Sequence, residues 1–217
     1  MHAQYFVGAA LVRKKEYATA EKVFQALLQI KPETGSQKHI QALTFLGLGR
    51  LLYQKGKIAD AIKQYLRLPE NSKEYDTALF ETSWAYVKSR QFEKAFRSLE
   101  LLVLSHPESP LVPEVKVLQG NLLIRLERWS KATDLFTKTR EKFIPVRKRM
   151  KQVMEEHKEP SVFFDVLLTQ NLDELSTSVQ IPQLAIQWVK GQPRVKRALN
   201  LVEDMRGIEK SLTEIRE

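Results

Sequence analysis

Apolar residues recur every three or four positions through most of the chain, in runs broken by short polar stretches, which is the spacing of amphipathic helices. Within that pattern four segments share one grammar: EYATAEKVF at 16–24, KIADAIKQY at 57–65, QFEKAFRSL at 91–99 and RWSKATDLF at 128–136. Each sets a bulky residue (Tyr17, Ile58, Phe92, Trp129), then an alanine three positions on (Ala20, Ala61, Ala95, Ala132), then a large closing residue (Phe24, Tyr65, Leu99, Phe136). The alanines are 41, 34 and 37 residues apart. Twelve positions before each alanine stands a small residue: Gly8, Gly49, Ser83 and Gly120. Pro32 and Pro107 follow the first and third alanines by the same interval. The pattern predicts four helix pairs. Two helices cross closely only where a small side chain lets their backbones approach, with bulky residues filling the space on either side. Proline then ends the second helix.

The period and the order small, bulky, alanine, aromatic, proline resemble the tetratricopeptide repeat over roughly residues 3–139. Lys73 stands in the proline slot of the second unit and Ser83 in the glycine slot of the third. The seven extra residues of the first step are expected in the polar loop ETGSQK at 33–38. The resemblance implies an all-α fold, a right-handed superhelix (α-α solenoid) of four helix pairs over residues 1–139. Residues 140–217 then form a C-terminal helical region that caps it. The segment HPESPLVPEVKVLQGNLLIRLERWSKA is also similar in texture to repeats of bacterial cell-envelope proteins. These include outer-membrane assembly lipoproteins, Tol-Pal-associated periplasmic proteins and delta-proteobacterial gliding-motility proteins. A periplasmic or envelope location is the expectation, with a cytoplasmic adaptor as the alternative.

After the repeats, REKFIPVRKRMKQVMEEHK reads as a basic helix, SVFFDVLLTQNL at 161–172 as an apolar one, and IPQLAIQWVKG at 181–191 as a third. From Pro193 a longer helix spaces Val195, Leu199, Val202, Met205, Ile208, Leu212 and Ile215 by threes and fours. Its first half is expected to cap the array; the alternative is that its second half, from Arg206 on, extends as a coiled coil into further sequence or into another subunit, which would give self-association. Met1-His2 directly before a repeat helix, and a last helix ending on a charged turn, read as a piece of a longer protein. A removed signal or lipid anchor is compatible with that reading.

The composition changes this picture little. Of 217 residues, 43% are apolar and 28% charged, and the charges are interspersed, as on solvated helix faces. There is no cysteine, which excludes disulfides and thiolate metal sites. No apolar run is long enough to span a membrane. A net charge of +9 favours an acidic partner but does not identify one.

The resemblance implies that the first helix of each pair lines the concave face. The matching positions are Tyr5, Ala9 and Val12; Leu43, Leu46, Arg50 and Tyr53; Phe80, Trp84 and Val87; and Val117, Asn121 and Ile124. The Lys and Asn that hold a chaperone's C-terminal carboxylate in some relatives are replaced here by Tyr5 with Ala9 and Leu46 with Arg50, so that role is disfavoured. A mostly apolar face suits a helical or extended hydrophobic segment of a protein partner, anchored on Tyr53, Phe80 and Trp84, with Arg50 meeting an acidic group. Arg147, Lys148, Arg149 and Lys151, with Arg140 and Lys142 before them, are candidates for an anionic contact. Glu155, Glu156 and Glu159 follow closely and no aromatics interleave, so a nucleic-acid-binding scaffold is the alternative of another class rather than the leading reading. His2, His39, His106 and His157 lack metal-ligand spacing, and no phosphate loop or nucleophile elbow is present. No catalysis, cofactor or metal is expected.

Overall fold

The structure, a computed structural model, describes residues 1–156 together with Pro182 and Ala185. Eight α-helices occupy the described residues, with no strand among them: α1 His2–Arg13, α2 Tyr17–Leu28, α3 Gly35–Gln54, α4 Ile58–Tyr65, α5 Tyr75–Lys88, α6 Phe92–Ser105, α7 Val112–Arg125 and α8 Trp129–Glu156. Two units are distinguished: Met1–Pro107 with Glu114–Ala132, and Glu108–Pro113 with the chain from Thr133 onward. In the first unit each helix from α1 to α6 packs on the next, and α1 also touches α3. In the second, α8 continues without interruption past Pro145, a residue that cannot donate to the carbonyl one turn back. The expected capping helices and the stripe from Val195 to Ile215 lie outside the described residues, apart from Pro182 and Ala185, which share a hydrogen bond of 2.8 Å.

The second helix of every pair, the B helix, begins on the bulky residue and carries its alanine as the fourth residue. Ala20, Ala61 and Ala95 are wholly buried and Ala132 is 3% exposed, so the four alanines hold equivalent places. The small residue of the first helix, the A helix, has an identifiable neighbour. A Cβ added to Gly8 would lie 2.5 Å from Phe24 Cε1, and one added to Gly49 would lie 2.6 Å from Tyr65 Cδ1. The closing ring therefore rests on bare backbone. The third unit departs from this pattern at both ends of the contact, with Ser83 in place of glycine and Leu99 in place of a ring, and both side chains are fully buried. Ser83 also satisfies its hydroxyl internally, donating to the Phe80 carbonyl at 2.6 Å.

The two helices of each pair meet through one recurring turn. Lys15, Gly56, Arg90 and Glu127 adopt φ of 65°, 77°, 59° and 58°. The N–H groups of Glu16, Lys57, Gln91 and Arg128 then reach back to the carbonyls of Leu11, Leu52, Tyr86 and Leu123 at 2.8–2.9 Å. These are Schellman closures, which satisfy carbonyls that the helix end would leave unpaired. In only one of the four is the left-handed residue glycine, so the other three carry a backbone cost of roughly 1–2 kcal/mol.

One expectation is corrected. The seven extra residues of the first step enter α3 rather than a loop: Thr34 caps the helix by accepting from the Gln37 N–H at 3.2 Å, and the Gln37 side chain accepts from the Glu33 N–H at 2.7 Å. TGSQ is thus a helix start, and α3 has 20 residues against 14 for α5. The second unit, lacking its late proline, has a B helix of only 8 residues, because Pro69 arrives early and disfavours helix at Leu68.

Gly49→Ala should destabilise the protein by about 1–3 kcal/mol through overpacking against the Tyr65 ring. Pairing Gly49→Ser with Tyr65→Leu, which imitates the third unit, should cost less than the two single changes added together, as read by urea unfolding. Arg90→Gly should stabilise by about 0.5–1 kcal/mol, since it removes the left-handed strain at a modest entropic cost, and thermal unfolding would register the change.

Candidate partner-binding face

Residues placed on one face by the repeat register do gather along the A helices α1, α3, α5 and α7, but they differ in accessibility. Trp84 is 41% exposed, Arg50 and Asn121 are exposed, and Tyr5, Tyr53, Phe80 and Val87 are half-buried. Leu46 is a correction: only 4% exposed, it belongs to the core cluster with Phe45 and Leu48 and offers no surface to a partner. The physical reason lies in α3, which packs against α1, α2 and α4, so that its apolar residues are enclosed on more than one side.

Between α3 and α5 lies a hollow of about 260 Å3 lined by Arg50, Tyr53, Tyr65, Glu81 and Trp84. Arg50 does not wait for an outside acid. Its Nε donates to both carboxylate oxygens of Glu81, at 2.8 and 3.1 Å, and a second guanidinium nitrogen joins them at 2.5 Å. Burial works against the guanidinium charge, but Glu81 more than offsets it, and the Arg50 pKa is raised. The Tyr65 phenol is raised too, first by burial and then by the charge and hydrogen bond of Glu81. Burial likewise raises the Tyr5 phenol. Lys88 Nζ stands 4.4 Å from the Tyr53 ring centroid, a cation–π contact that occupies one face of that ring. Phe80 and Trp84 meet edge to face with centroids 6.3 Å apart, which fixes the indole orientation while leaving much of it in solvent.

A second hollow, of about 570 Å3, opens at the neighbouring junction of α5 and α7 and is lined by Val87, Phe92, Leu118, Asn121, Leu122, Ile124, Arg125, Glu127 and Trp129. Val87, Asn121 and Ile124 were legible by register. Phe92 and Trp129 read as packing residues of the repeat, yet Trp129 is 60% exposed at the rim. Glu81 and Tyr65 were also missed as site residues. Glu81 lies one residue outside the positions counted as the face, and Tyr65 lies on a B helix.

The basic residues of α8 do not form one patch. Helical spacing puts Arg140, Arg147 and Lys151 on one side and Lys142 and Arg149 on the other. Lys148 is exposed, whereas Arg149 pairs with Glu156 at 3.4 Å and Lys151 with Glu155 at 3.9 Å. Among the described residues no group of three His, Asp or Glu is arranged to hold a metal, and no helix is long and apolar enough to cross a membrane. His39 pairs with Glu74 at 3.0 Å, His2 bonds Ser36 at 2.8 Å, and His106 caps α6; His157 lies outside the described residues.

Paired helices joined by one turn, with the first helix of each pair lining a shared face, define a helical-repeat interaction scaffold. Residues 46–110, covering the second and third units, match the tetratricopeptide repeat family. Tetratricopeptide repeats are thus shown over residues 46–110. The chain is similar to the solved MamA 41-end from Desulfovibrio magneticus RS-1, with 21% identity and a TM-score of 0.49 over 64% of this chain and 72% of that one. No curated protein sequence matches it.

The raised Tyr65 pKa gives a pH dependence of known sign. A proton held more tightly in the folded state adds stability that is fully present below the ordinary phenol value of 10.0 and is lost as pH rises beyond it. Tyr65→Phe should flatten the fall in stability above that pH, as followed by urea midpoints at several alkaline pH values.

Proposed function

We propose that the A-helix face captures a helical or extended hydrophobic segment of a protein partner, and that the chain serves as a non-catalytic scaffold in a multiprotein assembly. The observation that carries this reading is the pair of apolar-lined hollows at successive A-helix junctions, with the exposed Trp84 indole on the first and Val87 and Ile124 in the second. Aromatic anchors seated in pockets supply most of the energy in interfaces of this kind. The Arg50–Glu81 pair spans α3 and α5 on the same face, and there it selects against a partner that brings a bare carboxylate without compensation for Glu81. In this reading residues 1–139 form the binding array and residues 140–217 a separate C-terminal helical region. The assembly is placed in a bacterial cell envelope on the likeness of residues 106–132 to envelope repeats. Fractionation of cells expressing the intact protein tests that placement.

Trp84→Ala combined with Tyr53→Ala should abolish partner capture in a pull-down with the intact protein while circular dichroism stays helical. Truncating two such anchors typically costs several kcal/mol of binding, on the order of a hundredfold or more in affinity. Unchanged capture by the double variant places the partner elsewhere.

A further inference from the structure

The four turns that join each A helix to its B helix, residues 13–16, 54–57, 88–91 and 125–128, lie along one edge of the first unit. Contacts from each turn to the pair before it place them there. Gln54 donates to the Tyr17 phenol at 2.7 Å and Lys55 reaches Glu21 at 2.5 Å, which ties the second turn to the first pair. Lys88 stands over the Tyr53 ring at 4.4 Å, and Arg128 pairs with Glu93, which ties in the third and fourth. Among the sixteen residues of these turns are nine Lys or Arg and two Glu, in a chain whose net charge is +9. The loops of the opposite edge, 29–34 and 66–74, are balanced: Lys31 with Glu33, and Arg67 and Lys73 with Glu70 and Glu74. Most of the charge excess therefore sits on one edge.

The fold does not use up these cations. Glu21 takes Lys55 and Lys57, and Glu93 takes Arg128. Arg13, Lys14, Lys15, Arg90 and Arg125 are exposed and form no ion pair among the described residues. Lys15 and Arg90 hold left-handed backbone, at φ of 65° and 59°, where the second pair has Gly56. Strain kept at a turn tip whose side chain is exposed points to a use for the charge there. Glu127 is the exception among the tips, and it lies between Arg125 and Arg128. Next to Arg128, Trp129 is 60% exposed. Further repeats would stack on the pairs and lengthen this edge without covering it. From 157 to 217 the sequence intersperses eight Lys or Arg with nine Asp or Glu, so it offers no acidic run to neutralise the edge.

We infer that this edge docks on an anionic lipid surface, its cations meeting phosphate headgroups and the Trp129 indole entering the headgroup layer. Two observations favour a bilayer over a polyanionic chain. From pair to pair the sign is kept while the place of the cations in the turn and their type change, which suits a smeared surface charge and not acceptors at fixed spacing. An exposed indole beside cations is the pattern of an interfacial anchor, because its ring is apolar and its N–H polar. A single nucleic-acid strand would need aromatics interleaved along the row for stacking, whereas Trp129 stands at one end of it. This contact does not depend on the partner-binding reading.

The test mixes the full chain with vesicles of equal parts phosphatidylcholine and phosphatidylglycerol, or of phosphatidylcholine alone, and reads bound protein by flotation. Binding is expected to the anionic vesicles only. Each Lys or Arg near such a surface strengthens binding by roughly fivefold, so Lys14→Gln, Arg90→Gln and Arg125→Gln together should weaken it by about a hundredfold. The same charge removed from the opposite edge, as Lys31→Gln, Lys38→Gln and Lys73→Gln, should weaken it far less. Arg90→Gly should weaken binding by roughly fivefold although it stabilises the fold, a split that a purely structural arginine would not give. Anionic vesicles should shift the tryptophan emission to the blue, and Trp129→Phe should remove most of that shift. The inference is overturned if no vesicle binds, if phosphatidylcholine vesicles bind equally, if the two triple variants lose alike, or if Trp129→Phe keeps the full shift. Tighter binding to a DNA duplex or to polyglutamate than to the anionic vesicles overturns it as well. Trp84→Ala with Tyr53→Ala should float as the wild type does; loss there assigns the lipid contact to the A-helix face and refutes the edge.

Discussion

The seating of a large closing side chain against a small residue of the facing helix governs the geometry of this protein. Phe24 over Gly8 and Tyr65 over Gly49 leave no room for even one added carbon. Interiors are packed at crystal-like density, so such a contact admits one separation and one rotation of the two helices. Once each pair is fixed in that way, its A helix presents a defined set of residues away from the pair. The hollow between α3 and α5 and the hollow between α5 and α7 exist because successive pairs repeat that presentation while the side chains at the junctions change.

The fold was legible because its constraint is written at fixed intervals. Gly8, Gly49, Ser83 and Gly120 stand twelve residues before their alanines, and the alanines fall at the same helical position four times. The part misread was settled by short-range competition. TGSQ looks polar and loop-like, but its threonine and glutamine satisfy the free N–H groups of a helix start, so the extra residues lengthen α3. Pro69, four residues before Lys73, ends α4 early because it restricts the residue in front of it.

The site was less legible because register locates a residue on a helix without saying what else reaches it. Tyr53, Trp84, Asn121 and Ile124 lie where the spacing put them, yet Leu46 at an equivalent position is enclosed by a longer helix and its neighbours. Arg50 was read as a cation awaiting a partner, but Glu81 of the next unit already holds it. That pairing joins residues 31 apart, and no local motif marks it. The basic run of α8 fails as a patch for a simpler reason: consecutive residues on a helix point in different directions, and two of its cations find carboxylates on their own helix.

The recurring turn between the two helices of each pair has a mechanical consequence. Its closing hydrogen bonds begin and end within a single pair, so none is lost when a neighbouring pair opens. An array joined in this way loses structure piece by piece from an end, with the remaining pairs intact. Under tension such an array lengthens in increments the size of one pair, as an extensible tether does.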